Sequence, residues 1–299
     1  MSLLIVGSTA LDSIKTPTKE NPKLLGGSAS YASVAASYFS PVQMVGVVGE
    51  DFPKKYIKLF RDRGIDLTGL QIQPGRTFHW AGEYEVNMNN RRTLSTDLGV
   101  FEHFTPHLPE KYRDAEVVLL ANIAPSLQSH VLDQMRRPKL VFADTMDLWL
   151  NVALPDLLKL LKRVDGFVLN DSEARQLTDE TNLLRATQKL HKLGPKFVII
   201  KKGEHGAILS GPDGLFVAPA FPLRSVVDPT GAGDSFVGAM LGYLAASRGA
   251  VEKNIRKGII YGSVVASFCC EGFGLSKTGK LSRAQIEERF EELTRLVRF

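Results

Sequence analysis

The sequence predicts an α/β fold: one domain over residues 1–299, with a mostly parallel sheet, helices on both faces and a small β-rich appendage. Three observations carry this. Apolar runs of strand length alternate with amphipathic runs of helix length through most of the chain. That alternation gives way over 71–97 and again over 207–217, where shorter strand-and-turn patterns take over. Beyond Gly233 the pattern is mostly helical.

The strand-like runs are Leu3–Val6, Gln43–Val48, Glu116–Ala121, Leu140–Ala143, Gly166–Asn170 and Phe197–Lys201. Between them the spacing predicts helices over Ser28–Phe39, Pro53–Arg63, Ser126–Arg136, Leu154–Arg163 and Asn182–Leu193. A helix between successive strands returns the chain to the same end of the sheet, so the strands run parallel. Within 71–97, Thr77–Val86 alternates in part and meets Asn89-Asn90 before Arg92–Thr96, which predicts a hairpin. With a short segment after Leu11 it would build the appendage. Gly211-Pro212-Asp213-Gly214 predicts a turn between two short strands. The closing helices are expected at Asp234–Arg248, Val251–Cys270 and Ser282–Val297, the last opening on Ser282 and Gln285 in capping-box spacing.

Composition excludes several classes. An apolar fraction of 44% and a charged fraction of 23% disfavour disorder. The apolar stretches Val237–Ala246 and Ile259–Cys270 are too short to span a membrane. The chain enters Leu3–Val6 with no basic region or cleavage site before it, so no signal peptide is expected. Its two cysteines, Cys269 and Cys270, are neighbours, a spacing that disfavours a relaxed disulfide. Two buried thiols in a reducing cytoplasm are expected. A net charge of +5 suits an anionic ligand, but the densest basic runs are the pairs Lys54-Lys55, Arg91-Arg92 and Lys201-Lys202. No contiguous basic stripe for nucleic acid follows.

The most informative stretch is Val227–Phe236, VDPTGAGDSF. Gly231 and Gly233 let backbone approach a ligand, and the helix that follows offers unpaired N–H groups and a positive dipole end. Gly231, Ala232 and Gly233 are therefore an expected anion hole. Asp234 reads either as a functional carboxylate or as an ordinary helix cap. Two other stretches fail their tests. Gly274–Lys280 has the glycine and lysine spacing of a phosphate loop, but Leu281 stands where a Mg²⁺-binding hydroxyl is needed. Gly7–Leu11 lacks the glycine spacing of a dinucleotide site.

DPTGAGDSFVGAML resembles the C-terminal signature of the ribokinase, or PfkB, family of carbohydrate and nucleoside kinases. Four further stretches match in family order. Gly26-Gly27 before an alanine-rich helix is similar to the family's N-terminal glycine pair, and Asp12 to its early substrate-binding aspartate. Asn170–Glu173 resembles its Asn-x-x-Glu motif, and Gly203–Gly206 its Gly-x-x-Gly turn. The resemblance implies a three-layer α/β/α ribokinase-like fold whose appendage is a β-lid, and ATP and Mg²⁺ as cofactors. It implies Asp234 as the base that takes the acceptor's hydroxyl proton, and a weak base, since the helix dipole should depress its pKa. Asp12, Gly26 and Gly27 would face the acceptor. Asn170 and Glu173 would support Mg²⁺, with simple helix capping as the rival role. Gly203 and Gly206 would lie near the nucleotide. Asp228 and Thr230 match positions that help form a monovalent-cation site in many relatives, so K⁺ is a further expectation.

Three features depart from the family pattern or extend it. Tyr31 replaces an asparagine that touches the sugar, which implies an altered substrate pocket. Lys201-Lys202 replaces Thr-Leu: Lys201 would pair with nucleotide phosphates or both lysines would be solvated, the latter being favoured. In the lid, strand alternation puts Phe78 and Trp80 on one face and His79 on the other. The aromatics would stack on a sugar or base, cover a homodimer contact through the lid, or do both. The expected activity is ATP-dependent phosphorylation of a sugar hydroxyl. A nucleoside kinase of adenosine type and a non-catalytic sugar-binding protein on the same scaffold are the alternatives.

Overall fold

The structure, a computed structural model, describes residues 1–88 and 91–298. The hairpin tip expected at Asn89-Asn90 lies outside the described residues. The chain opens with β1 (Leu3–Val6), β2 (Ala10–Lys15), β3 (Glu20–Gly26) and α1 (Ser28–Ala36). It continues through β4 (Val42–Gly49), α2 (Lys54–Asp62), β5 (Asp66–Gln73), β6 (His79–Tyr84) and β7 (Arg91–Asp97). Alternation then resumes with β8 (Val117–Leu120), α3 (Pro125–Gln134), β9 (Leu140–Asp144), α4 (Asp147–Val152) and α5 (Leu154–Leu161). Next come β10 (Gly166–Asn170), α6 (Asp171–Thr178), α7 (Leu183–Lys192), β11 (Phe197–Lys201) and the hairpin β12 (Ala207–Gly211) and β13 (Gly214–Ala218). Three helices close the chain: α8 (Ala232–Ala246), α9 (Val251–Cys270) and α10 (Arg283–Val297).

The main sheet has the order β13-β12-β11-β10-β9-β8-β1-β4-β5, parallel except where β12 and β13 fold back as an antiparallel edge. Its inner strands β1, β8 and β9 are buried along their whole length, as cover by helices on both faces requires, while the edge strands β5 and β13 are partly exposed. In β1, Leu3 and Ile5 join a core built with residues of α1, α8 and α9. Leu4 and Val6 point the other way, into a core with Val131 of α3, Leu157 and Leu160 of α5 and Leu190 of α7. The expected three-layer α/β/α fold is therefore present. The capping box at Ser282 and Gln285 also forms.

The appendage is a separate four-stranded sheet, β3-β2-β6-β7. Two sequence boundaries are corrected here. Residues 71–73, expected in the appendage, end β5 of the main sheet. The appendage instead draws β3 from residues whose Glu-Asn-Pro-Lys start hides the strand pattern. The short helices α4 and α6 were also outside the predicted set, being six and eight residues long. Such lengths leave little room for a helical period to show.

Candidate active site

The carboxyl ends of β1, β9, β10 and β11 lead into Gly7-Ser8, Asp144, Asn170 and Lys201, so polar groups collect along one edge of the sheet. In open α/β sheets this edge is where ligands bind. The N-terminus of α8 also reaches it, since Lys201 Nζ would lie 3.1 Å from a Cβ placed on Gly233.

The turn before α8 is fixed from several sides. Asp228 is fully buried, and its two carboxylate oxygens accept the amides of Thr230 (2.9 Å) and Gly274 (3.2 Å). Gly231 is the helix N-cap with φ of 77°, a left-handed conformation that a side chain would strain. A Cβ there would also lie 2.3 Å from the Tyr31 ring. Tyr31 is 1% exposed, so it is the packed floor beneath the turn and not the pocket wall that the sequence suggested. The ring fills space that only a glycine above it leaves open. The anion hole needs a second correction. The Ala232 amide donates to the Pro229 carbonyl at 3.1 Å, whereas those of Gly231 and Gly233 find no protein acceptor among the described residues.

Asp234 occupies the first turn of α8, half-buried. The expectation of a depressed pKa fails. Burial pushes the carboxyl up to about 7, reinforced by the negative charge of Asp144 and opposed by Lys201 and Arg91. Desolvation beside the Asp144 carboxylate outweighs the helix terminus.

Lys201 is not solvated. Its Nζ stands 3.2 Å from both carboxylate oxygens of Asp144, with the lysine side chain 19% exposed and the aspartate 6%. Burial opposes the ammonium charge, but Asp144, Glu173 and Asp234 together hold its pKa above the usual lysine value. Asp144 escaped the sequence reading. An aspartate directly at the end of an apolar strand, in the Phe142-Ala143-Asp144 run, was the available signal.

Asn170 and Glu173 form a reciprocal capping box on α6. The Glu173 amide donates to Asn170 Oδ1 at 2.8 Å, and Glu173 Oε2 accepts the Asn170 amide at 2.7 Å. The capping role is thus real, and it leaves Glu173 Oε1 outside the box. Burial pushes the Glu173 carboxyl up to about 7, against the pull of Lys201 and the Asn170 amide. Gly203 and Gly206 flank the single turn between β11 and β12.

Asp12 of β2 lies in the same neighbourhood, within electrostatic reach of Asp228 and Asp234. A Cβ on Gly26 would fall 1.9 Å from its carboxylate, so the acid lies directly over that glycine. Burial, with help from Asp228 and Asp234, pushes Asp12 up to about 8, and Arg91 opposes this. Gly27 caps α1, and Ser8 and Ser28 lock the two chain segments together: each amide donates to the other's hydroxyl, at 3.2 and 3.0 Å.

Asp12 is itself part of the lid sheet. Asp12 pairs with Trp80 in the β2–β6 register, so the two share a face with Gly82 and Tyr84. His79 lies opposite and meets Ser13 at 2.9 Å, as alternation predicted. Phe78 is committed elsewhere, its ring stacked on Phe101 at 5.2 Å, which leaves Trp80 as the aromatic in register with Asp12. Arg91, cross-strand from Tyr84, carries its guanidinium 5.8 Å from the Trp80 ring. Tyr84 and Arg91 were both missed by sequence reasoning, because neither lies in a motif.

Asp234, Asp144, Lys201 and the unpaired amides of Gly231 and Gly233 thus gather around one helix N-terminus. Residues 4–280 match the family model for pfkB family carbohydrate kinases, and the chain belongs to that family. It is 31% identical to the cytidine kinase of Thermococcus kodakarensis over 87% of this chain and 94% of that protein. It is 26% identical to the aminoimidazole riboside kinase of Salmonella typhimurium over 79% of each. In structure it is similar to the Burkholderia thailandensis nucleoside kinase bound to inosine, with a TM-score of 0.79, 21% identity and 97% of each chain covered. A ribokinase-fold neighbour from E. coli, solved with ATP and Mg²⁺, gives a TM-score of 0.78 at 18% identity over 97% of this chain and 99% of that one. Both likenesses confirm the ribokinase fold.

Proposed function

We propose that this protein transfers the γ-phosphoryl group of ATP to a hydroxyl on the sugar ring of a nucleoside. The observation that carries the reading is the juxtaposition of free Gly231 and Gly233 amides with the Asp234 carboxylate on one helix turn. Asp234 accepts the hydroxyl proton as the oxygen bonds to phosphorus and ADP departs. A carboxyl held near pH 7 is a better base than an ordinary aspartate, and about half of it is ionised in a neutral medium. The glycine amides and Lys201 face the negative charge of the migrating group. Asp12 accepts hydrogen bonds from the acceptor's hydroxyls, with Gly26 and Gly27 leaving room for the ring.

ATP and Mg²⁺ fit the residues present. Among the described residues no three His, Cys, Asp or Glu side chains gather as a metal cage. Mg²⁺ commonly makes do with one or two carboxylates plus phosphate oxygens, and Glu173 Oε1 is the hard oxygen left for it, directly or through water. Mg²⁺ supplies charge neutralisation on the phosphates. Lys201 stays beside Gly233 and holds positive charge at the same place.

The nucleoside is preferred to a free sugar because Trp80 and Arg91 give the lid's inner face a planar aromatic and a guanidinium, groups that suit a base. The cytidine and riboside kinases among the relatives support the same choice. Free sugar remains the second reading, favoured by the family's carbohydrate kinases. The test is ADP release with Mg·ATP over a panel of nucleosides and free sugars, run in KCl and in an equal concentration of tetramethylammonium chloride. Turnover with a nucleoside is expected; turnover with free sugars alone would overturn the choice of acceptor. A K⁺ stimulation would support a monovalent-cation site, for which Asp228 and Thr230 are the candidate residues, and equal rates would remove it.

A further inference from the structure

We infer that Tyr84 is a positioning residue through which the lid sets the phosphate-binding turn. The inference rests on the kinase reading above. Tyr84 ends β6, and its hydroxyl lies 3.0 Å from Thr230 Oγ1, a bond that spans 146 positions of the chain. It is 7% exposed, although β7 beside it is exposed along all seven residues. The lid thus drives one side chain down into the body.

The target is informative. Thr230 immediately precedes Gly231, whose left-handed backbone aims the free amides. Three groups hold Thr230. Its amide donates to Asp228 Oδ1, and its carbonyl accepts the Cys269 thiol at 3.3 Å. Both partners belong to the body and stay in place whatever the lid does. The third, Tyr84, comes with the lid. With β6 seated as it is here the turn has all three restraints; were β6 to move away, the hydroxyl contact would go with it. Acceptor held under the lid therefore steadies the amides that face the migrating phosphoryl group. In its absence a looser turn is a poorer catalyst of ATP hydrolysis by water.

Two variants isolate the hydroxyl pair: Tyr84→Phe keeps the ring and Thr230→Val keeps the shape. Each is expected to lower kcat with acceptor by roughly three- to tenfold, the worth of one neutral hydrogen bond. The double variant should be no worse than Thr230→Val alone, because the two side chains act as one unit. Thr230→Ser should restore most of the rate. Hydrogen exchange supplies a readout that needs no substrate. In the unliganded protein, amides of 228–234 and of β6 should exchange faster in Tyr84→Phe and in Thr230→Val, to the same extent. Additive rate losses, or unchanged exchange of 228–234 in Tyr84→Phe, would overturn the inference. A wild-type protein inactive across the acceptor panel would instead sink the kinase reading, and the exchange comparison would still decide on the Tyr84 contact.

Discussion

The turn at 228–234 and the lid above it serve one site by opposite means. The turn is over-determined: a fully buried aspartate ties it to Gly274, the Tyr31 ring supports Gly231, and Pro229 captures the Ala232 amide. The lid is anchored at one side and open at the other. Leu11 of β2 and Leu25 of β3 belong to the main core, whereas the outer strand β7 is exposed throughout, and Phe78 on Phe101 with Tyr84 on Thr230 are further contacts that join the lid to the body. Rigidity is placed where charge must be met at fixed geometry, and mobility where a substrate must enter.

The sharpest way to break this contrast is to remove the base from the rigid part. Asp234→Asn should lower kcat by about 10²–10⁴ while ATP binding changes little. The substitution keeps the shape of the helix start, so the glycine amides remain where they are. Stopped or single-turnover assays with the best acceptor, beside nucleotide affinity by calorimetry, would check it. A variant that retains most of its turnover would remove Asp234 from the mechanism.

The same contrast explains what could be read from the sequence. The rigid half of the site is written contiguously: Asp228 to Asp234 is seven residues, and its glycines announce themselves through their spacing. Six main-sheet strands were likewise legible, because burial on both faces makes each an unbroken apolar run. What was missed depends on registration between distant segments. Tyr84 acquires meaning only when β6 pairs with β2, and Arg91 only when β7 pairs with β6. Asp144 and Lys201 become partners because β9 and β11 flank β10 in the sheet. Tyr31 was misjudged for the complementary reason. A family position names a location near the substrate, but whether the ring lies in the pocket or under it is decided by the space above Gly231.

Acidity offers a second, smaller test, with effects of opposite sign in stability and rate. Asp12 takes its proton at about 8, and Asp234 and Glu173 at about 7, against ordinary values of 3.8, 3.8 and 4.5. Between roughly pH 4 and 8 these three groups therefore bind more protons in the folded chain than in the unfolded one. The stability these groups contribute is full below the unfolded values and is lost as pH rises through the folded ones. Activity runs the other way, since Asp234 must be ionised to act. The melting temperature of the unliganded protein should fall from pH 5 to about 8.5 while kcat/KM climbs through about 7. Asp12→Asn should flatten the upper part of the stability fall. A melting temperature that rises over that interval would show that the buried acids ionise without cost.

The smallest expected effect is the most discriminating about the lid. Glu83 and Tyr84 are consecutive residues of β6 on opposite faces. Glu83 pairs with Lys15 at 2.8 Å and with Arg92 at 2.6 Å, the partners being 51% and 74% exposed. Solvent and salt screen such pairs, and holding three long side chains together costs entropy. Glu83→Gln should leave kcat and KM within about twofold of wild type. Its neighbour should not behave this way, because Tyr84 spends its hydroxyl on the turn. If Glu83→Gln slows turnover as much as Tyr84→Phe, the lid acts through its general cohesion and the particular contact to Thr230 is incidental. If only the inward residue matters, adjacent positions of one strand separate a surface from a device.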